Sequence, residues 1–198
     1  MSDFTYIGKS LPVIGGREKV EGRAVYAGDL NLPNMLHGKV LHSPFSHARI
    51  LNIDTSKALK HPGVKAVVTS ADAPGFKTGR YYKDRPILAT GEVHFVGDPV
   101  AAVAAVDEQT ALEALDLIRV EYEELPAVYD SLLAMKPESP LVHHDMDTFE
   151  PKPPRRISRG NILDQVSIKE GDAAKALGAS YLVHHDTYRT RAPSIPAT

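Results

Sequence analysis

The sequence predicts α+β or α/β packing, in which helices cover a mixed sheet. The first observation is the order of the periodic segments, which run strand, strand, helix, strand and then repeat that order. The second is a short run of alanine and valine at 100–106, bounded by Gly97-Asp98-Pro99 and Asp107. Such a short, continuously apolar run is typical of a central strand that is buried on both faces.

Before that run, the pattern predicts three strands and one short helix. The strands are expected at 36–42, 49–54 and 64–69, and the helix at 56–60. Either Asp54 or Thr55 can cap the helix, because both side chains accept hydrogen bonds from free backbone N–H groups. Pro62 and Gly63 end it, since proline removes a donor and glycine tolerates a left-handed exit. The valine-rich strand at 64–69 is expected to be buried.

The second half of the pattern begins with a loop at 70–90, which has no apolar periodicity. Residues 92–96 alternate and predict a strand, which the central strand at 100–106 follows. Asp107 is expected to cap the next helix. The apolar stripe of that helix consists of Ala111, Ala114, Leu115 and Ile118. A last strand of this domain is expected at 120–126.

The chain divides into four predicted regions. They are an N-terminal arm (1–21), a main domain (22–130), a proline-rich connector (131–160) and the incomplete start of a second domain (161–198). Five of the 15 prolines fall in the connector, at 137, 140, 151, 153 and 154, so it cannot hold a regular ladder. The last region predicts strands at 165–169 and 181–188 around a helix at 172–177, and it is too small to bury a core alone.

Composition excludes several functions. With 198 residues, 42% of them hydrophobic, the chain can bury a core without disulfides. It has no cysteine, and therefore no thiolate nucleophile and no thiolate ligands for an iron–sulfur cluster. A net charge of −2 argues against nucleic-acid binding. No apolar stretch approaches the roughly 20 residues that span a bilayer. We therefore expect a cytoplasmic protein with no nucleic-acid or membrane partner.

Two histidine-rich clusters, His143-His144-Asp145 and His184-His185-Asp186, are candidate metal ligands, because imidazole and carboxylate bind zinc, iron or manganese. Neighbouring residues on a strand face opposite ways, so His184 and His185 cannot both reach one ion. Solvated surface histidines are the favoured interpretation. The sequence has no Gly-x-Ser-x-Gly elbow and no phosphate-loop spacing. Composition and spacing alone predict no catalytic site.

A series of short motifs follows one order along the chain. The earlier ones are Gly22-Arg-Ala-Val-Tyr26-Ala-Gly-Asp29, LPNML at 32–36 and HSPFSHARI at 42–50. The later ones are VGDPVAAV at 96–103, VEYEELPAV at 120–128, Gly171-Asp172 and TYRT at 187–190. Together they resemble the large subunits of molybdenum hydroxylases, the family of xanthine dehydrogenase and aldehyde oxidase. The resemblance extends over about residues 8–190.

The resemblance implies an α/β hammerhead, an α+β fold, at 22–130, and the start of the molybdopterin-binding domain at 161–198. Complete enzymes of this family hydroxylate aldehydes or nitrogen heterocycles with oxygen from water. Their electrons pass through iron–sulfur clusters to a flavin or another acceptor. Residues 191–198 do not match the family's continuation. We therefore expect a truncated, split or excised part of the large chain, without the catalytic glutamate and cofactor contacts of the family.

The expected function is that of the hammerhead-bearing part of a molybdopterin-binding subunit, structural and inter-domain, and inactive alone. The expected partners are the rest of that subunit and the iron–sulfur and flavin subunits or domains. No catalytic, metal or cofactor residue is assigned, so molybdopterin, iron–sulfur clusters and FAD belong to the complete enzyme. The residues considered for an inter-domain surface are His42, Ser43, His47 and Arg49, although such residues also occur at ordinary strand ends. Two alternatives are an independent non-catalytic binding module and a small metal-dependent enzyme using the His-His-Asp clusters.

Overall fold

A computed structural model describes residues 4–151 and 160–188 of the chain. The strands are β1 (His37–His42), β2 (Ala48–Asp54), β3 (Val64–Thr69), β4 (Lys77–Thr78), β5 (Arg85–Pro86), β6 (Glu92–Val93), β7 (Pro99–Ala105) and β8 (Arg119–Glu124). The helices are α1 (Gly16–Val20), α2 (Ser56–Leu59), α3 (Glu108–Asp116), α4 (Ser131–Ala134) and α5 (Ala173–Gly178). The predicted arm, connector and second-domain start each extend into residues outside the described ranges, at 1–3, 152–159 and 189–198.

The first sheet has the order β1-β7-β3, with β7 between two antiparallel neighbours. This confirms the prediction of a central strand. Val100, Ala101 and Ala105 of β7 are fully buried, and Val103 is nearly so. Because most of these side chains are small, helix α3 can pack closely over the strand. A core cluster forms there from Ala58, Ala101, Val103, Ala114 and Ile118.

The second sheet has the order β6-β2-β8, and it is also antiparallel. Its core cluster consists of Ala48, Ala89, Val93 and Val100. Phe45 packs against this cluster, with its ring centroid 5.1 Å from that of Tyr122. The α+β class predicted from the sequence is confirmed, but the sheet is not mixed. Every strand pairing in the described residues is antiparallel.

Helix ends follow the predicted capping pattern. The Asp107 carboxylate accepts the Thr110 backbone N–H at 2.7 Å, which satisfies a free donor in the first turn of α3. At α2 the Asp54 carboxylate accepts the Ser56 N–H at 2.9 Å, while the Thr55 side chain makes no capping bond. After helix α2, Gly63 has a φ of +89°, a left-handed conformation that glycine adopts readily. A Cβ at this position would also lie only 3.0 Å from the Thr110 side chain.

Three predicted details were wrong. Strand β3 is not buried but lies at the edge of its sheet, half exposed, because β7 pairs with only one of its sides. Residues 70–90 contain a short hairpin, β4–β5, where only a loop was expected. Residues 165–169 and 181–188 form no strand and are exposed, since no other described strand pairs with them.

Both ends of the described chain expose large apolar side chains. Ile14 is 98% exposed and Val20 90% exposed in the arm, where α1 has no buried residue. Near the other end, Ile168 is 89% exposed and Tyr181 is fully exposed. Helix α5 between them starts where Asp172 accepts the Lys175 N–H at 3.0 Å, but it also has no buried residue. These ends therefore pack against little else in the described residues.

The proline-rich segment is held against the main domain. Residues 141–150 are here called the docked segment. Near its end, the side chain of Phe149 is buried, with only 1% of its surface exposed. The Lys77 ammonium donates to the Asp145 carboxylate at 2.5 Å, and the Lys83 backbone N–H donates to the Glu150 carbonyl at 2.7 Å. The docked segment therefore lies on the β4–β5 hairpin, with no ladder hydrogen bonds of its own.

Candidate functional site

The four residues singled out by the sequence do not form one continuous surface. Ser43 is only 2% exposed. Its backbone N–H donates to the Asp98 carbonyl at 2.8 Å, and its carbonyl accepts the Gly97 N–H at 2.8 Å. Its hydroxyl accepts the Phe45 N–H at 3.0 Å. Ser43 therefore joins the link after β1 to the turn before β7, and its side chain is not available to a partner.

His47 and Arg49 share an acidic neighbour. The His47 Nε2 atom and the Arg49 Nε atom each lie 3.9 Å from the Glu92 carboxylate. Arg49 also pairs with Glu123 across β2 and β8. His42 is exposed at the end of β1, where the register with β7 shifts. Arg49 and His42 are thus accessible, whereas His47 is mostly covered.

His47 belongs to a row of three stacked imidazole rings, here called the histidine row: His47, His94 and His143. Ring centroids are 6.0 Å apart between His47 and His94, and 4.9 Å apart between His94 and His143. The Phe149 ring meets His143 edge-on at 5.3 Å. His47 lies in the link before β2, His94 directly follows β6, and His143 lies in the docked segment. It therefore connects the main domain to the segment after it.

Hydrogen bonding defines the tautomer of His47. Its Nδ1 atom lies 2.7 Å from the Pro126 carbonyl, which only accepts, so Nδ1 carries a proton. Its Nε2 atom is buried and has no hydrogen-bond partner within the described residues. In a neutral ring this nitrogen is an unused acceptor, which costs stability when it is kept from water.

Burial lowers the pKa of His94, and burial together with the charge of His94 lowers the pKa of His143. The cause is that an imidazolium loses hydration when it is covered, so the neutral ring is favoured. Burial alone would raise the pKa of the Asp145 carboxyl, but the hydrogen bond and charge of Lys77 lower it. At neutral pH the row is therefore uncharged at His94 and His143, next to an ionised Asp145–Lys77 pair.

Three cavities border the histidine row. A cavity of about 320 Å³ is lined by His47, His94 and Tyr129, and one of about 340 Å³ by His143 and Phe149. A wider one of about 550 Å³ lies between β2, the hairpin and the docked segment. The basic side chains on its wall, Arg49 and Lys77, are already paired with carboxylates. Among the described residues, these two basic side chains are therefore not free to bind an anionic ligand.

The His-His-Asp clusters do not assemble a metal site. The part of the chain that the structure describes contains no group of three or more histidine, aspartate or glutamate side chains placed to hold an ion. His184 lies 3.8 Å from Asp186 and is 76% exposed. His143 stacks in the row instead of turning towards a shared ion. The small metal-dependent enzyme has no site in these residues.

Sequence reasoning missed His94 altogether, and it considered His143 as a candidate metal ligand or, by preference, as a solvated surface histidine. His94 follows Gly91-Glu92-Val93, a stretch whose alternation indicates a strand but carries no sign of a distant partner. The three histidines are far apart along the chain, and tertiary packing alone brings the rings together. The one available signal was the number of histidines, nine in 198 residues, and it does not indicate which of them meet.

The sheets, the α3 packing and the motif order define the class of protein. Residues 21–126 match the family model described as aldehyde oxidase and xanthine dehydrogenase, a/b hammerhead domain. The chain therefore belongs to the aldehyde oxidase and xanthine dehydrogenase family, and it carries the hammerhead domain of the molybdenum hydroxylase large subunit. The family resemblance and the α/β hammerhead fold expected from the motifs are confirmed.

Relatives with curated names are oxidoreductase subunits. The chain is 41% identical over 174 residues to a probable xanthine dehydrogenase subunit of Bacillus subtilis, covering 87% of this chain and 22% of that protein. It is 34% identical over 189 residues to the nicotinate dehydrogenase large molybdopterin subunit of Eubacterium barkeri, covering 95% of this chain and 41% of that protein. Both names agree with the oxidoreductase class expected from the motifs.

A solved structure supports the same assignment. The crystal structure of the Cu,Mo-CO dehydrogenase aligns with a TM-score of 0.66 at 37% identity, covering 70% of this chain and 18% of that chain. The chain thus spans about a fifth to two fifths of the length of these relatives. Within residues 4–151 and 160–188, no helix has the length and apolar character needed to cross a membrane.

Proposed function

We propose that this chain is the hammerhead-bearing portion of the molybdopterin-binding subunit of a xanthine dehydrogenase or aldehyde oxidase-type oxidoreductase. Its role is structural: it docks neighbouring parts of the enzyme and performs no chemistry alone. The proposed regions are the arm (1–21), the hammerhead (22–130), the connector (131–160) and the start of the molybdopterin-binding domain (161–198). We also propose a cytoplasmic location, as the composition led us to expect.

The observation that carries the proposal is the apolar surface at both ends of the chain. Large apolar side chains that are at least half exposed include Ile7, Val13, Ile14, Val20, Val25, Leu32, Val166, Ile168, Tyr181 and Leu182. Exposed apolar patches of this kind mark sites where another protein surface packs. The proposed partners are the remainder of the molybdenum-binding subunit and the iron–sulfur and flavin subunits or domains. One relative is itself named a large molybdopterin subunit.

Two of the four residues from the motif at 42–50 remain suitable for a docking surface. His42 and Arg49 are exposed. Arg49 already pairs with Glu123, so a partner carboxylate would share the guanidinium, whose several donors allow this. His47 contributes through the Glu92 carboxylate that it approaches together with Arg49. Ser43 supports the backbone behind them.

We propose that none of the cofactors of the complete enzyme is bound by this chain alone. For molybdopterin, the described residues do not fit: Arg49 and Lys77 beside the cavity of about 550 Å³ are paired with carboxylates, and the unpartnered His47 Nε2 atom is buried. For iron–sulfur clusters, the chain has no cysteine. Molybdopterin, the clusters and FAD are therefore assigned to other parts of the enzyme.

A co-purification experiment tests the docking role. The tagged 198-residue chain is used to capture proteins from its native cells, and captured polypeptides are identified and assayed for molybdenum. We expect capture of a molybdopterin-binding polypeptide, and its loss in the double variant Val166→Asp with Ile168→Asp. Leu112→Asp is the matched control, because Leu112 is an exposed apolar residue on α3 of the hammerhead. Capture should persist in that control.

The purified chain alone should convert neither an aldehyde nor a nitrogen heterocycle when an electron-accepting dye is supplied. Amide hydrogen exchange at 181–188 should be fast in the isolated chain and slow in the captured complex. A folded monomer that captures no molybdenum-containing partner would favour the independent binding module instead. Turnover by the chain alone would overturn the non-catalytic assignment.

A further inference from the structure

The histidine row lies at the contact between the main domain and the docked segment. His94 belongs to the main domain and His143 to the docked segment, with their ring planes inclined by only 21° and their centroids 4.9 Å apart. Neutral imidazole rings stack well, whereas two imidazolium rings at that distance repel each other. The state of this contact therefore depends on whether the rings carry protons.

We propose that the stacked pair of His94 and His143 is an acid-sensitive latch, which holds the docked segment on the hammerhead while these two rings are neutral and releases it when they take up protons. The geometry supports this assignment, because the same stacked pair forms part of the contact that must open. The inference concerns only the contact within this chain and does not depend on the proposed docking role.

The charged groups around His94 do not prevent release. The Asp98 carboxylate lies 3.9 Å from its Nδ1 atom but accepts the His94 backbone N–H at 2.9 Å. Glu92 and Asp145 also favour a charged ring, while His47 disfavours it. Burial outweighs the three acids, so the pKa of His94 lies below the ordinary histidine value. Water reaches the ring when the contact opens, and the penalty of burial disappears.

The groups around His143 act in the same direction. The Asp145 carboxylate is 4.0 Å from its Nδ1 atom, but that carboxylate is held by the Lys77 ammonium at 2.5 Å. Asp84 favours the charged ring, whereas Lys77 and His94 disfavour it. Burial again prevails, so the folded, docked state holds fewer protons than the released state. Docking is therefore strongest above the ordinary histidine pKa of about 6.5 and weakens as the pH falls below it.

The rest of the contact is not acid-sensitive in this range. Phe149 contributes apolar packing, and the Lys83 N–H donates to the Glu150 carbonyl. The pKa of Asp145 is lowered, so its pair with Lys77 persists at mildly acidic pH. The acid response of docking is thus assigned to the two rings and not to the carboxylates.

Hydrogen exchange of the full 198-residue chain tests the latch. The backbone N–H groups of Thr148 and Phe149, which donate to Asp145 and Met146, report on the docked segment, and the β7 amides report on the core. Rates are divided by the intrinsic rate at each pH. Since each proton taken up on release shifts the equilibrium by up to about tenfold per pH unit, protection in the segment should fall between about pH 7.5 and 5.5, by up to about tenfold for each of the two rings. The β7 amides should stay protected.

Variants separate the latch from general acid effects. In His143→Gln the pH dependence of segment protection should be clearly reduced, because only His94 can then take up a proton when the contact opens. His185→Gln is the matched control, because His185 is exposed and lies outside the row; it should behave like the unaltered chain. If His143→Gln loses protection at both pH values, His94→Gln decides, since it leaves the docked segment unchanged. Equal protection at both pH values in the unaltered chain, or an undiminished acid response in His94→Gln, overturns the proposal.

Discussion

Replacing Phe149 by alanine should release the docked segment without unfolding the hammerhead. Phe149 is 1% exposed, its ring meets His143 edge-on at 5.3 Å, and the Lys77 ammonium lies 5.6 Å from its centroid. It belongs to neither of the two core clusters of the sheets. The substitution should therefore weaken docking of the segment and leave the free energy of global unfolding nearly unchanged.

The size of the effect follows from the buried ring. Truncating a buried phenylalanine to alanine costs about 3–5 kcal/mol. The low end applies here, because the cavity of about 340 Å³ beside Phe149 and Met146 already leaves part of the ring unpacked. A loss of about 3 kcal/mol raises the opening equilibrium of the segment on the order of a hundredfold.

The assay is hydrogen exchange at Thr148 and at the Lys83 N–H, which donates to Glu150, compared with the central amides of β7. Phe149→Leu is the matched control, since it keeps most of the apolar volume and should lose much less protection. Our reasoning is refuted if protection in β7 falls as much as in the segment, because Phe149 then belongs to the cooperative core. It is equally refuted if protection changes nowhere.

Three further substitutions test the packing of the hammerhead. Asp107→Ala should lower the urea midpoint of unfolding, because the Thr110 N–H loses its cap. Gly63→Ala should destabilise the fold by about 1–2 kcal/mol in the same assay, because φ is +89° and the new Cβ would lie 3.0 Å from Thr110; Gly91→Ala, at φ +76° with open space around it, should cost less. Ala101→Leu should cost about 1–3 kcal/mol through overpacking of the fully buried β7 face. An unchanged urea midpoint in any of these variants would contradict the contact that its substitution tests.

Local signals identified the parts of the fold that local physics controls. The continuous apolar run predicted β7 as a central strand, and the Asp107 cap with its apolar stripe predicted α3. Both depend on residues close together in sequence. The range of β3 was predicted correctly but its burial was not, because whether a valine-rich strand is buried depends on how many strands flank it. The hairpin β4–β5 was missed because two-residue strands have no periodicity.

Exposed apolar stretches at the end of the chain gave the clearest disagreement. Residues 165–169 and 181–188 have the composition of strands, yet they form none, since backbone hydrogen bonds in a strand require a neighbour. The composition of a segment indicates that it can form a β-strand, but the strand forms only where a second strand lies alongside it. These stretches would become strands only where a neighbouring strand pairs with them.

The candidate site could be predicted only in part. The motif at 42–50 singled out His47 and Arg49, and the structure places both beside Glu92. His94 and His143, which stack with His47, come from distant parts of the chain and share no motif with it. Ser43 was expected at a surface but is buried, because its backbone pairs with the turn before β7.

The amino-acid sequence alone determined the family, the α+β class, the central strand and the helix caps, because motif order, apolar periodicity and capping are encoded by residues near one another. Tertiary structure alone decided that every described strand pair is antiparallel, that the proline-rich segment lies on the hairpin, and that three histidines form a row. The physical reason is that burial and stacking depend on distances between remote side chains, and those distances exist only once the chain has folded.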